Sequence, residues 1–238
     1  MQIVDSAIIL GTVQVKDNNN VVKMFTKSNG LQSAYLVATT KKKSAKNAVL
    51  QPLSICQVKY LKNKKSSMPS LKEASIEVPL LNIQMDIFKS TVALFIADFL
   101  SEILPQDAED RFFDFIKNSI QIFNEIEDGM SNFHLVFLLK MTKWLGIKPS
   151  LKKEFNNYFD LKEGEFLSQQ PNHSNYLSTQ ETNMITRFLV VDWNDISEIK
   201  LNGKLRRKLL NSIIHYYIFH VPGFKKPKAL TILEEVFN

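Results

Sequence analysis

The chain is short of the residues on which many chemistries depend. It has one cysteine, Cys56, which excludes a disulfide framework and a cysteine zinc cluster. Its seven glycines are scattered, so no glycine-rich loop is present to cradle a phosphate. The four histidines, His134, His173, His215 and His220, are dispersed as well; the last two stand five apart, not the four of a helical metal pair. Asp107, Glu109 and Asp110 suggest a metal only until they are read as the acidic start of a helix, where the macrodipole favours them. No run of eighteen apolar residues occurs, and Met1-Gln2-Ile3-Val4-Asp5 has neither the basic region nor the apolar stretch of a signal peptide. The expectation is a soluble, cytoplasmic protein that is not an enzyme and carries no metal or cofactor.

Arginine is absent before residue 80. Lysine is not: residues 1–80 hold twelve Lys against four acids, a charge of +8, and the other 158 residues hold eighteen Lys or Arg against twenty acids, a charge of −2. The formal net charge of +6 therefore belongs to one third of the chain. That asymmetry points to a module facing a polyanion, joined to a near-neutral scaffold. Two stretches concentrate it, Lys41-Lys42-Lys43-Ser44-Ala45-Lys46 and Lys62-Asn63-Lys64-Lys65.

Hydropathy changes period near Pro79. Before it, residues 3–15, 21–26, 31–39, 53–61 and 71–78 read as five short strands, with Asn29-Gly30 as a hairpin turn. Five meandering strands in eighty residues fit a small closed barrel of the oligonucleotide-binding (OB) type, and an SH3-like barrel fits the same periodicity. After it, apolar residues recur at helical spacing over 86–104, 108–126, 132–145, 181–191, 202–219 and 229–237, while 150–178 is polar and irregular. The expected class is α+β, β then α: an OB-type barrel over 1–79, then an all-helical domain of five or six helices over 80–238. Residues 132–145 form the most apolar long run. They read as a buried core helix, capped by Ser131 or Asn132, stopped by Gly146, with Trp144 in the core. His134 reads as a core histidine.

Several local strings, in order, resemble the bacterial recombination mediator family RecO. In the barrel these are Leu10-Gly11, Phe25-Thr26-Lys27-Ser28-Asn29-Gly30, Leu50-Gln51-Pro52-Leu53 and Lys72-Glu73-Ala74. In the helical part they are Phe95-Ile96-Ala97-Asp98-Phe99-Leu100, Asn132-Phe133-His134, Leu145-Gly146, Tyr158-Phe159-Asp160-Leu161-Lys162-Glu163-Gly164 and His220-Val221-Pro222-Gly223-Phe224. The resemblance implies a DNA repair accessory protein that binds single- and double-stranded DNA and anneals complementary strands. It also implies partners: RecR, and the single-strand binding protein SSB through its acidic tail, in support of RecA loading. Many relatives carry a four-cysteine zinc cluster after the Phe-Asp-Leu-x-x-Gly segment. Residues 159–176 contain no cysteine here, so zinc is expected to be absent.

With that implication the candidate DNA contacts are the loop lysines Lys41, Lys42, Lys43 and Lys46, joined by Lys16, Lys23 and Lys27 if the barrel brings them to one face. Single-strand binding also uses exposed aromatic platforms. Tyr35 and Tyr60 are the candidates, and Phe25 reads as core. Without arginine in the barrel, bidentate readout of guanine is weak, and backbone binding without sequence preference follows. Two further clusters, Lys204, Arg206, Arg207 and Lys208, and Lys225, Lys226 and Lys228, are candidates for DNA or for the SSB tail. Two other classes fit the residues: a protein-interaction adaptor for acidic tails, and an RNA-binding adaptor.

Overall fold

The structure, a computed structural model, describes residues 1–15, 20–36, 49–62, 68–107, 109–151 and 157–236. These form two compact units: residues 1–125 with Pro227–Ala229, and residues 126–226 with 230–238. The change of period at Pro79 thus lies inside the first unit, which holds the barrel and, among the described residues, the helices 81–85, 87–103 and 110–125.

The barrel strands are β1 (Gln2–Gln14), β2 (Asn20–Thr26), β3 (Gly30–Leu36), β4 (Ile55–Leu61) and β5 (Ser70–Val78). They close in the order β1-β2-β3-β5-β4, with β3 and β5 parallel and the other pairs antiparallel. This is the OB-type arrangement. Closure removes the open edges of a small sheet and encloses a core of Ala7, Ile9, Val22, Met24, Ala34, Cys56, Val58, Tyr60 and Leu71. A bulge between Ile9 and Gly11 lets β1 leave β4, which it pairs over Gln2–Ile8, and continue along β2 to Gln14. The hairpin between β2 and β3 needs its glycine. Gly30 has φ +62°, and a Cβ there would lie 2.1 Å from the Gln106 carbonyl oxygen.

Helices α1 (Leu81–Met85), α2 (Ile87–Ile103) and α3 (Asp110–Glu125) complete the first unit. Asp86 starts α2 by accepting the N–H groups of Phe88 and Lys89 at 2.7 and 2.9 Å. The Ala229 N–H, in the segment that belongs to this unit, donates to the Asp98 carboxylate at 2.9 Å.

The second unit is built on α4 (Phe133–Trp144). Every residue from Phe133 to Leu139 is buried, as are Met141 and Thr142. Its end is a Schellman arrangement: Gly146 at φ +71°, its N–H donating to the Lys143 carbonyl, and the Ile147 N–H donating to the Thr142 carbonyl at 2.9 Å. The start differs from expectation. The Asn132 side chain does not cap α4; its amide donates to the Ile199 carbonyl at 2.6 Å and its oxygen accepts from Arg206 Nε at 3.0 Å. Trp144, the last helical residue, is only half-buried, so Phe133 and Phe137 are the large core side chains of this helix. Around α4 lie α5 (Thr179–Val190), α6 (Gly203–His220) and α7 (Leu230–Val236). Ser178 and Glu181 form a capping box at the start of α5, two residues before the expected boundary.

The second unit is not all helical. Part of the polar stretch 150–178 forms a three-stranded antiparallel sheet of β6 (Tyr158–Asp160), β7 (Glu165–Leu167) and β8 (Tyr176–Leu177), in the order β7-β6-β8. Strands of two or three residues carry too little alternation to be read from hydropathy. No helix of the described residues is long and apolar enough to cross a membrane.

Candidate nucleic-acid interface

Strands of period two send Val22, Met24 and Ala34 into the barrel, so Val21, Lys23, Phe25, Ser33 and Tyr35 face outward. Strand register then sorts this outer face into rows. The row Ile8–Phe25–Leu31 is covered by α3: Phe25 meets Phe112 edge-on at 5.9 Å and Phe113 at 5.7 Å, and is fully buried. In the next row, Gly11–Lys23–Ser33, Lys23 Nζ donates to the Ser101 carbonyl at 2.8 Å, in the last turn of α2. A cation there complements the negative end of the helix dipole. Lys27 bonds both oxygens of Asp114, at 2.9 and 3.1 Å, and that hydrogen bond raises its ammonium above the ordinary lysine value.

The row Val13–Val21–Tyr35 is different. Val13 is 63% and Tyr35 40% exposed, and Tyr35 continues in register to Ser70 of β5. The Tyr35 backbone N–H is fixed by the Pro69 carbonyl at 2.9 Å. This places an aromatic ring between Val21 and Ser70 on a solvent-facing row of the barrel, a geometry on which an unstacked base can lie. Tyr60, the other candidate platform, is a core residue with no exposed surface, and burial pushes its phenol up. Lys16, Lys41, Lys42, Lys43 and Lys46 lie outside the described residues. Lys23 and Lys27 do not join the Tyr35 row; they hold the barrel against α2 and α3.

The second unit uses its cations in the same way. Arg206 donates through Nε to Asn132 and through Nη2 to the Leu201 carbonyl at 3.0 Å, and burial holds its guanidinium below the ordinary value. Lys208 pairs with the buried Glu181 at 3.0 Å. Lys140 Nζ donates to the Val191 carbonyl just past α5 at 2.9 Å and sits 5.2 Å from the centre of the Trp193 ring. Lys204, Arg207, Lys225 and Lys226 remain exposed. A small cavity lined by His134, Gly203, Arg206, Arg207, Leu210, Leu233 and Glu234 opens beside this cluster. His134 is fully buried there, and burial followed by the nearby Arg206 charge lowers its pKa to about 3, the state of a neutral core histidine. Sequence reading missed the engagement of Lys23, Lys140 and Arg206, because a helix end packing beside a cation leaves no local mark.

Residues 1–79 match the family model described as Recombination protein O N terminal, and residues 84–229 match Recombination protein O C terminal. The chain is 33% identical over 242 residues to the DNA repair protein RecO of Flavobacterium psychrophilum and 34% identical over 241 residues to that of Flavobacterium johnsoniae, each comparison covering 100% of both chains. It is 31% identical over 236 residues to the DNA repair protein RecO of Bacteroides fragilis, covering 97% of both. The chain belongs to the recombination protein O family.

In this RecO-family chain the segment matching Phe-Asp-Leu-x-x-Gly is held by polar and aromatic contacts. Asp160 Oδ1 accepts from the N–H groups of Lys162 and Glu163, at 2.8 and 3.2 Å, while Oδ2 lies 2.9 Å from His173 Nε2. The other ring nitrogen of His173 accepts from the Asn175 N–H at 3.2 Å, which makes Nε2 the protonated nitrogen of the neutral ring. Phe159 packs on Phe166 at 4.7 Å and on Tyr216 at 5.7 Å. Among the described residues no three His, Cys, Asp or Glu side chains are grouped to hold a metal ion.

Proposed function

We propose that this chain is a mediator of DNA repair and recombination whose barrel, residues 1–79, binds single- and double-stranded DNA without sequence preference. The observation that carries the reading is the open Val13–Val21–Tyr35 row on a closed OB-type barrel, in a chain whose family and relatives are named for recombination and DNA repair. Lys41, Lys42, Lys43, Lys46 and Lys16 supply the phosphate contacts, and Tyr35 supplies a platform for a base. Lysine neutralises phosphate and releases counterions without reading sequence. The lack of arginine in this part of the chain fits that role.

Two strands held on such a surface repel each other less, and complementary strands then anneal. The helical part, residues 80–238, takes the acidic tail of SSB and the partner RecR, so that RecA loads where SSB has been displaced. Lys204, Arg207, Lys225 and Lys226 are the exposed cations for that tail. The protein acts in the cytoplasm, at the nucleoid, as a binding protein without catalytic chemistry.

The test is an annealing assay with complementary oligonucleotides, free and coated with SSB. The protein is expected to speed pairing in both conditions. Pairing at the uncatalysed rate, with no salt-dependent retention of either oligonucleotide, would remove the DNA role and leave the adaptor for acidic tails; stronger retention of RNA than of DNA would favour the RNA adaptor.

A further inference from the structure

Helix α7 is an acidic and apolar segment. Its sequence, Leu230-Thr231-Ile232-Leu233-Glu234-Glu235-Val236, has two carboxylates and no cation. Leu230 and Leu233, one turn apart, are fully buried, while Thr231, Ile232 and Glu235 are exposed. The helix lies on the basic start of α6, where four cations, Lys204, Arg206, Arg207 and Lys208, occur within five positions. Cations at a helix N-terminus oppose the macrodipole, and a carboxylate seated beside them offsets that cost.

Along α6, Lys204, Arg207 and Asn211 are spaced by three and four and share one stripe. The Asn211 amide donates to Glu234 Oε1 at 2.6 Å and to the Arg207 carbonyl at 3.2 Å, so a carboxylate of α7 closes this row. Lys204 and Arg207 themselves stay exposed. The seat is incompletely filled: the cavity with Arg207 and Leu210 on α6 and Leu233 and Glu234 on α7 is about 10 Å³, room for about one water. A helix of seven residues does not hold itself together in water and depends on this contact.

The occupant shows what the seat accepts: aliphatic side chains buried beside α6 and carboxylates next to its cations. A partner segment of the same chemistry makes the same contacts and adds carboxylates for Lys204 and Arg207, which α7 leaves exposed. DNA phosphate suits the cations but not the leucine seat, so the chemistry favours a peptide. We infer that α7 is an internal competitor, seated on the α6 face that an acidic, apolar partner segment takes in its place. The inference rests on the acidic-tail role proposed above for these cations. It makes affinity for the tail depend on how often α7 leaves its seat. With the seat open about one part in ten, the tail binds about tenfold below its intrinsic affinity.

The test uses the full chain and a fluorescein-labelled peptide of the SSB acidic tail, read by anisotropy and by amide hydrogen exchange. Leu233→Ala loosens the seat from its apolar side. Glu234→Gln removes the competing charge, and as a near-isosteric change it keeps the test informative if the alanine variant fails to fold. Each is expected to bind the peptide about three- to tenfold more tightly than the parent, and Arg207→Gln is expected to weaken binding in either background. Bound peptide is expected to speed exchange in 230–236, a change that a wall of the site would not show. Parent-like or weaker affinity of Glu234→Gln overturns the competitor and leaves the acidic-tail role standing if the parent binds the peptide. Unchanged or added protection of 230–236 under bound peptide also overturns it. So does faster exchange there with a dT oligonucleotide and not with the peptide. If neither the parent nor the variants retain the peptide, the acidic-tail role and the competitor fall together.

Discussion

The outer face of β2 and β3 is two surfaces built from one pair of strands. Toward the hairpin, Phe25 is sealed under α3, and Lys23 and Lys27 bond Ser101 and Asp114. Toward the other end, Val21 and Tyr35 meet solvent. Residues of the same parity on the same strand thus change from structural to available within a few positions. The difference lies in which of them a helix covers, not in the residue types. It teaches that a lysine on a strand is a candidate phosphate ligand only where no helix end reaches it first. The same holds in the second unit, where half-buried Arg206 is bonded to Asn132 and Leu201, Lys208 reaches from the surface to the buried Glu181, and Lys204 and Arg207 are exposed.

The largest expected effect breaks the covered half. Phe25→Ala is expected to cost roughly 3–5 kcal/mol in chemical denaturation, as is Phe137→Ala in the second unit; a loss below 1 kcal/mol at Phe25 would mean that α3 does not seal that row. Next come the lysines outside the described residues. Changing Lys41, Lys42, Lys43 and Lys46 together to Ala should leave the melting temperature nearly unchanged and weaken binding to every oligonucleotide sequence alike. The slope of log affinity against log salt should flatten by roughly 0.7 for each phosphate of a single strand that is no longer neutralised. A parental slope would move the DNA site to the exposed cations of the second unit. Tyr35→Ala should alter stability by no more than about 0.5 kcal/mol while removing about 1–3 kcal/mol of single-strand affinity.

The pH response sharpens the contrast from the side of the core. The His134 pKa lies at about 3 in the folded chain, below the ordinary 6.5. Between those values the unfolded chain binds a proton that the folded chain does not. His134 therefore supports the fold fully above pH 6.5 and progressively less as pH falls toward 3, by at most about 1.4 kcal/mol per pH unit. Burial raises the Glu77 carboxyl, but its hydrogen bonds with Lys117 and Ser6 outweigh this and hold it below the usual value, so its contribution is also lost on acidification. Thermal denaturation at pH 7 and pH 5 should show a smaller loss in His134→Gln than in the parent. The smallest effect is expected at Lys27→Met, where a partly exposed pair with Asp114 is screened by solvent and melting temperature should barely change; a change in the DNA salt slope there would show that Lys27 touches phosphate.

Much of this architecture is legible in the chain. Alternation placed all five barrel strands, and Gly146 marked the end of α4 because a C-cap is local chemistry. Tyr35 was legible as an aromatic on a strand, but its exposure was not separable from the burial of Tyr60, since period two gives the parity of a residue and not what lies beyond it. Lys23 and Lys27 were grouped with the loop lysines because the helix residues they bond, Ser101 and Asp114, lie 78 and 87 residues away in sequence. Asn132 read as a cap, yet its amide serves Ile199 and Arg206. The sheet of β6, β7 and β8 was missed because Asp160, which organises it, acts through backbone N–H groups that any sequence supplies.

Amide hydrogen exchange, with and without a saturating dT oligonucleotide, tests the division of the barrel face most directly. Added protection is expected in peptides covering 11–14, 20–22 and 33–36, with no change around Phe25. Protection confined to 200–208 and 221–228, with the barrel unchanged, would contradict the assignment and make the helical part the nucleic-acid module.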